Sequence, residues 1–424
     1  MRVAVLGATS ASGERGGAES FYEGLVAGLE RQVAQVEFLS HPADESSYER
    51  ILANYDYWQG QDLSAFDLVI STKAPTYAVD HPNHLVYLVH TVRAYYDMFD
   101  EIFPQPTQQQ QRQRAEIHRR DNLAFGNAKR IFCIGDEVSR RLRKWNGVDA
   151  ETLHPPMLAD HFRAGKGADY FLVPGRLHRW KRVDLAIRAF RQAGLDCQLR
   201  IAGTGEAEGE LRALAGDDPR IRFLGRVSDE ELIELYAGAA AVLFTPVMED
   251  YGYITLEAFS SGKPVITCTD SGEPLQFVQD GVTGAVADPS AESLAEAMRS
   301  LWNDRPRAAR MGAAGRRRIA QINWPAVVAT LLEAAAAPAA STPARLRATV
   351  LDMQPIDPPV GGGRLRLLGL YHDLHGFFRT DYIGSYDWPG EKYRTVAHSD
   401  TLLETTIPLS QEHFEAAAAL SREA

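Results

Sequence analysis

The sequence has little cysteine, no long apolar run and no excess of basic charge. Three cysteines occur in 424 residues, Cys133, Cys197 and Cys268. They are odd in number, far apart and set beside the apolar residues Phe132, Leu199 and Ile266. This argues against a disulfide scaffold, and no metal-ligand spacing appears. The thiols read as buried and reduced, which fits a reducing cytosol. No stretch of about 18 apolar residues is present, so no membrane span is expected. The opening Met1-Arg2-Val3-Ala4-Val5-Leu6-Gly7 is too short an apolar run for a signal peptide and reads as a first strand. Lys and Arg number 45 against 56 Asp and Glu, a net charge of −11. That argues against a general nucleic-acid binder, which needs a basic footprint.

What is present is ordinary globular composition, 45% hydrophobic and 24% charged. The length gives a prior of about three domains and is enough for two full cores. Short apolar runs at 3–6, 33–39, 68–71, 86–90 and 131–134 alternate with helical stretches, including 18–29 with Phe21, Leu25 and Leu29 on one face. The segments 154–156 and 165–167 read as a linker, after which the pattern restarts. Strands are expected at 170–173, 199–202, 221–224, 241–244 and 264–267, with helices at 182–193, from Ser228 onward with Glu231 completing a capping box, and at 255–260. Helices at 291–303, 307–322 and 327–335 follow. Strand–helix alternation of this kind predicts two parallel doubly wound halves, 1–164 and 165–335. Residues 336–344 read as a spacer and 345–424 as a separate extension: a strand at 350–353, a helix at 364–374 and a strand at 381–385.

Three places carry residues suited to chemistry. The first is the Gly-rich stretch 7–13 with Gly16-Gly17-Ala18-Glu19 behind it, where backbone amides at a helix start can cradle phosphate. A dinucleotide fingerprint also needs an acid near the end of the second strand, and that stretch ends Leu39-Ser40-His41, a poor match. The second is Gly175-Arg176-Leu177 with Lys181, directly after a strand. Arg binds a pyrophosphate as a fork and Lys as a compact charge. The third is Glu249-Asp250-Tyr251-Gly252-Tyr253-Ile254-Thr255-Leu256-Glu257. Gly252 permits an unusual turn, the Tyr253 and Ile254 amides would open the next helix, and the two glutamates suit sugar or ribose hydroxyls.

Residues 170–284 resemble the retaining glycosyltransferases of family 4, with the GT-B fold. The resemblance rests on Gly175-Arg176-Leu177 and Lys181, then Gly203-Thr204-Gly205, Phe223-Leu224-Gly225-Arg226-Val227-Ser228, the Glu249-x7-Glu257 pair and Ser261-Gly262-Lys263-Pro264-Val265-Ile266. The first half matches more loosely, through Gly16-Gly17-Ala18-Glu19 and Val89-His90-Thr91. The resemblance implies an α/β GT-B protein: two Rossmann-like domains facing a cleft, plus a short α/β extension. It implies transfer of a sugar from a nucleotide-diphosphate sugar to a hydroxyl of a glycan or lipid-linked saccharide, with retention and without a metal or other cofactor. It assigns Arg176 and Lys181 to the diphosphate, assisted by the Tyr253 and Ile254 amides. Glu257 would hold the ribose, Glu249 the donor sugar, and Arg226 and Val227 the base. Tyr251 and Gly252 belong to the same donor turn, Gly16 and Gly17 would let the first domain approach the phosphate, and His90 would stand beside the sugar.

Glu273 and Gln276 depart from the family's pattern and place bulk and negative charge near the expected donor cleft. They are the support for a second reading, a catalytically silent GT-B scaffold. A third is an NAD(P)-dependent oxidoreductase built on the 7–13 loop, and a fourth a sugar-nucleotide epimerase, which the Glu-x7-Glu context disfavours. His41, His81, His84, His118, His154 and His161 show no pattern comparable with His90. Tyr87, Tyr95, Tyr96 and Phe99 read as core or acceptor-cleft lining. Between Gln105 and Lys144 ten Lys or Arg face four acids, a local +6. This reads either as a solvated helix or as a face for anionic lipid or glycan, the latter placing a cytoplasmic protein at the inner side of a membrane. The extension looks like the opening βαβ of another GT-B domain, through Gly361-Gly362-Gly363, or like a small appended domain packing on the other two. Oligomeric state is not specified by the sequence.

Overall fold

A computed structural model describes residues 1–10, 16–158, 161–165, 167, 169–338, 346–352, 354–357, 361–371, 378–385, 394–398, 402–407 and 415. The first sheet holds β1 (Arg2–Ser10), β2 (Gln35–Ala43), β3 (Leu68–Ser71), β4 (His84–Leu88), β5 (Arg130–Cys133) and β6 (Glu151–Thr152), ordered β2-β1-β3-β4-β5-β6. The second holds β7 (Tyr170–Pro174), β8 (Gln198–Ala202), β9 (Ile221–Gly225), β10 (Ala241–Leu243), β11 (Val265–Cys268) and β12 (Gly284–Ala287), ordered β12-β11-β10-β7-β8-β9. Every pairing in both is parallel. β3, β4, β7, β10 and β11 are buried along their whole length, because helices cover both faces of each sheet. In doubly wound sheets ligands bind beyond the strand ends where the order reverses. Those points fall beside β1 and β3 in the first unit, and beside β7 and β10 in the second.

The expected strands and helices are found, with two informative shifts. β1 continues to Ser10, paired with β2 as far as Ala43, so residues 7–10 are strand and not loop. Gly7 is there because the Phe38 ring packs against it: a Cβ would lie 2.5 Å from that ring. Residues 11–13 of the same motif lie outside the described residues. The second shift is the helix Tyr253–Ser260, which starts two residues earlier than the sequence suggests.

The helix Trp324–Ala336 follows the second unit in sequence but packs on the first. It lies against helix Gly17–Glu30, where Gly24 leaves no space for a Cβ beside the Trp324 ring. Lys129 Nζ donates to the Ala335 carbonyl at 2.5 Å. One buried cluster runs from Val5 and Leu25 through Val328 and Leu331 to Phe244 and Val265, so the two units share apolar packing. Residues 305–336 reach a mean hydropathy of 1.2 over an 18-residue window. They form two helices, Arg305–Ile319 and Trp324–Ala336, each shorter than the roughly 20 residues a membrane span needs. The three cysteines are free and buried.

The extension has its own four-stranded sheet, β13 (Leu346–Asp352), β14 (Phe378–Ser385), β15 (Arg394–Ala397) and β16 (Leu402–Ile407), ordered β13-β14-β16-β15. The helix Gly361–Tyr371 joins the parallel pair β13 and β14. In the first sheet the opening strand β1 is central; here β13 lies at an edge.

A buried carboxylate makes the first unit sensitive to pH. Asp121 is fully buried, accepts from the Tyr55 hydroxyl and accepts at 2.6 Å from the Tyr96 hydroxyl. Burial pushes its pKa up to about 6, against the pull of the tyrosine hydrogen bonds. The folded state therefore binds this proton more tightly than the unfolded chain. Its contribution is fully present below about pH 4 and is lost as pH rises through 6, a change of about 3 kcal/mol. Asp121→Asn is expected to flatten that part of the stability profile. Urea unfolding of both proteins at pH 4 to 7 checks this: the difference between them should change sharply below pH 6 and level off above it.

Candidate active site

The loop after β7 is shaped by glycines. Gly175 has φ +114° and Gly203 has φ +142°, backbone that L side chains rarely adopt. A Cβ on Gly203 would fall inside the Gly175 carbonyl oxygen, and one on Gly205 inside that of Leu177. The two loops instead hydrogen-bond closely, Gly175 N–H to the Ala202 carbonyl and Leu177 N–H to that of Thr204, each at 2.9 Å. This fixes the start of Arg176, whose exposed guanidinium lies 4.0 Å from where a Cβ on Gly16 would stand. The loop ends in a turn of 3-10 helix, Arg179–Lys181. Lys181 Nζ donates to Glu249 Oε2 at 2.5 Å, joining the loop after β7 to the loop after β10. The neighbouring cation does different work. Arg182, at φ +49°, donates to the Thr245 and Pro246 carbonyls at 2.7 and 2.8 Å and pairs with Asp270 at 2.6 Å.

Glu249 is held by its backbone. Its N–H donates to the Ser271 carbonyl at 2.9 Å, and its carbonyl accepts from Glu273 N–H at 3.0 Å. Gly252, at φ +82°, precedes the helix 253–260, so the Tyr253 and Ile254 amides belong to the first turn and lack helical partners. Across the cleft the Tyr253 ring would lie 3.2 Å from a Cβ on Gly17. Farther along that helix, Glu257 Oε2 accepts from the Tyr236 hydroxyl at 2.5 Å, and burial raises the Glu257 pKa. Tyr236 had no distinguishing mark in the sequence.

Tyr251 stands in the same turn, next to Gly252. Its side chain is buried, and its hydroxyl donates to the Pro155 carbonyl at 2.5 Å. Arg226 is exposed beyond the end of β9, the edge strand two places out from β7. Val227 follows it and is partly buried.

In the first unit, Gly16 caps helix 17–30, and its N–H donates to Glu19 Oε2 at 2.8 Å. His90 lies just past β4, with Nδ1 2.8 Å from the Thr91 carbonyl. A carbonyl only accepts, so Nδ1 carries the hydrogen and Nε2 presents a lone pair. Burial, with Lys73 nearby, pushes the His90 pKa down to about 4, so the ring is neutral at pH 7.

The two units are seated on each other by charge. Asp250, beside Glu249, pairs with Arg141 at 2.7 Å and Arg93 at 3.7 Å. Both arginines also bind Asp97, and Arg93 donates to the Met248 carbonyl at 3.0 Å. Burial alone would raise the Asp250 pKa; Arg141 and Arg93 outweigh it and hold the pKa down at about 2. None of these residues was singled out by the sequence, where Arg141 counts only as part of a basic run. Within that run Arg114 is also buried, with its guanidinium between the Phe99 and Trp145 rings at 4.4 and 4.3 Å. Arg119 and Arg120 pair with Glu116. The stretch 105–144 therefore presents less free positive charge than its composition suggests.

Glu273 corrects another expectation. It does not add charge to the cleft. Its carboxylate is wholly buried and turned into the first unit, where Oε1 lies 2.7 Å from His154 Nε2. Gln276 is exposed on the surface. The sequence support for a silent scaffold is thus removed. Among the described residues no group of three or more His, Cys, Asp or Glu is placed to hold a metal ion.

Residues 159–318 match the family described as Glycosyl transferases group 1. The chain is 34% identical over 172 residues to the D-inositol 3-phosphate glycosyltransferase of Corynebacterium aurimucosum, covering 38% of this chain and 40% of the relative. It is 36% identical over 199 residues to the GDP-mannose-dependent monoacylated alpha-(1-6)-phosphatidylinositol monomannoside mannosyltransferase of Corynebacterium glutamicum, covering 42% of this chain and 51% of that one. The chain thus spans about half or less of these curated relatives. Among solved structures it resembles WaaG, a glycosyltransferase involved in lipopolysaccharide biosynthesis, with a TM-score of 0.62 and 17% identity over 79% of this chain and 100% of that one. It also resembles Anabaena Alr3699/HepE in complex with UDP and glucose, with a TM-score of 0.59 and 15% identity over 78% and 98%. At such identities the structural likeness speaks for the fold. Residues 159–318 thus match the model of the glycosyltransferase group 1 family, in a chain whose two-unit fold is that of GT-B glycosyltransferase structures.

Proposed function

We propose that this chain is a retaining, family 4 glycosyltransferase that moves a sugar from a nucleotide-diphosphate sugar to a hydroxyl of a glycan or lipid-linked saccharide. The observation that carries the reading is the meeting of three donor-type elements at one sheet switch point. Arg176 and the Lys181–Glu249 pair stand on loops after β7 and β10, the open amides of helix 253–260 lie beside them, and Gly16 and Gly17 face them from the first unit. The curated relatives' names describe sugar transfer to inositol-containing acceptors, which supports an acceptor of the same broad kind.

In the reaction, the bond from the anomeric carbon to the diphosphate oxygen breaks and its electron pair leaves on the diphosphate. Arg176, Lys181 and the Tyr253 and Ile254 amides stabilise that charge as it develops. The acceptor oxygen bonds to the same carbon from the same face, and its proton passes to the departing phosphate. Glu257 accepts from ribose hydroxyls with Oε1 while Tyr236 holds Oε2. Arg226 and Val227 line the base. Glu249 contacts the sugar, and the neutral His90 accepts a sugar hydroxyl hydrogen at Nε2. Seating of the two units excludes water, which otherwise competes with the acceptor. No metal or other cofactor is assigned a role. The oxidoreductase reading is not favoured, because residues 7–10 of its loop are strand.

The test is nucleoside-diphosphate release from a panel of UDP-, GDP-, ADP- and dTDP-sugars with EDTA present. One donor should be hydrolysed slowly without acceptor, and Glu249→Ala should reduce that rate at least tenfold. No release from any donor, together with no thermal shift by any nucleotide, would remove the reading.

A further inference from the structure

Helix Asp136–Asn146 of the first unit touches both the loop that carries Glu249 and the segment 271–273 paired with it. On one side Arg141 of that helix binds Asp250. On the other, the Glu137 N–H in its first turn donates to Glu273 Oε2 at 2.9 Å. Glu273 is tied back to Glu249 through the backbone hydrogen bond described above, and Gly272, at φ +78°, lets the segments touch: a Cβ there would lie 2.6 Å from Glu249 N. The socket in the first unit is cut for this carboxylate. Gly135 caps the helix, and a Cβ on it would lie 2.5 Å from Glu273 Cδ. His154, which closes the other oxygen, is wedged against the Tyr251 and Phe277 rings at 5.9 and 4.9 Å between centroids.

We propose that Glu273 is a positioning residue: its carboxylate, plugged into the Gly135–Glu137 helix start and against His154, sets the register of Glu249 when the two units are seated. The inference rests on the glycosyltransferase reading for its consequence and on the geometry alone for its structural part. Loss of the plug frees the backbone pairing of Glu249 with 271–273, so the sugar-contacting carboxylate and its Lys181 partner lose their fixed placement. The diphosphate contacts of Arg176 and the amides at 253 and 254 stay on their own elements. Turnover should therefore fall while nucleotide affinity holds.

The experiment compares wild type with Glu273→Gln and Gly135→Ala by hydrogen exchange, nucleoside-diphosphate titration and turnover. In both variants, peptides covering 248–253 should exchange at least tenfold faster, while those covering β8 stay as in wild type. Nucleoside-diphosphate Kd should stay within about threefold and kcat should fall at least tenfold. Adding Gly135→Ala to Glu273→Gly should cost less than Gly135→Ala alone, because only the Asp250 carbonyl, 2.8 Å from the new Cβ, then remains in the way. A variant that lowers Tm but leaves both exchange at 248–253 and kcat unchanged overturns the proposal. If wild type itself releases no nucleoside diphosphate, the enzymatic reading fails, and the exchange comparison alone still decides whether Glu273 holds the Glu249 loop.

Discussion

Lys181→Ala is expected to lower donor turnover by about 10²–10³-fold, with little change in thermal stability. The loss corresponds to about 2.7–4 kcal/mol of charge stabilisation, the scale for removing one preorganised donor from a developing anion. Two effects combine. The leaving diphosphate loses a compact cation, and Glu249 loses the partner 2.5 Å from its carboxylate. The pair is part-exposed, 28% for Lys181 and 18% for Glu249, so water replaces the lost ion pair in the resting protein and folding is little affected. Arg182→Ala, one residue away, should behave oppositely. It would strip hydrogen bonds from the Thr245 and Pro246 carbonyls and the pair with Asp270, which together brace the loop after β10. Its Tm should drop by several degrees, with the fold-loss in kcat smaller than for Lys181→Ala. Initial-rate diphosphate release and thermal scans on both variants check the contrast. Equal kcat losses in the two would show that Lys181 only braces the loop.

Gly203→Ala is expected to destabilise the second unit by about 3 kcal/mol and to abolish donor binding in what remains folded. Positive φ at a non-Gly residue costs roughly 1–2 kcal/mol, and forcing atoms into filled space adds roughly 1–3 kcal/mol. Here the obstacle is backbone, the Gly175 carbonyl, which cannot swing aside without moving Arg176. Gly209→Ala is the control: it lies in the helix Glu208–Ala215 with nothing within 4 Å of a new Cβ. It should be neutral or stabilising by a few tenths of a kcal/mol. Urea unfolding measures both, and a Gly203→Ala protein as stable as wild type would refute the packing argument.

Much of the fold is legible in the sequence because it is written locally. Runs such as 68–70 and 241–243 are apolar throughout, as befits strands covered on both faces. The Ser228 capping box is a four-residue pattern and forms as expected. The residues proposed to bind the donor come together for a related reason. Arg176, Lys181, Glu249 and the 253–254 amides sit on short loops directly after two adjacent strands, so spacing along the chain translates into proximity. Gly7 misleads because a glycine inside a strand and a glycine in a loop look alike until Phe38, 31 positions on, is seen packed over it.

What the sequence hides is whatever joins the two units. Asp250, Arg141, Arg93 and Asp97 meet only after both sheets are built and seated, and each alone resembles a surface charge. Glu273 is visible as an oddity, yet its direction depends on Gly135 and His154, more than a hundred positions away. The same reasoning explains Tyr251, whose place in the motif suggests the cleft and whose hydroxyl is spent on Pro155.

A diphosphate is expected to sit between the loop after β7 and the start of helix 253–260. Calorimetric titration of wild type, Arg176→Ala and Lys181→Ala with matched nucleoside mono- and diphosphates tests it most directly. Wild type should bind one diphosphate at least tenfold more tightly than its monophosphate, and each variant should erase most of that difference. Equal affinity for the two in wild type, or a preference untouched by both substitutions, would contradict it.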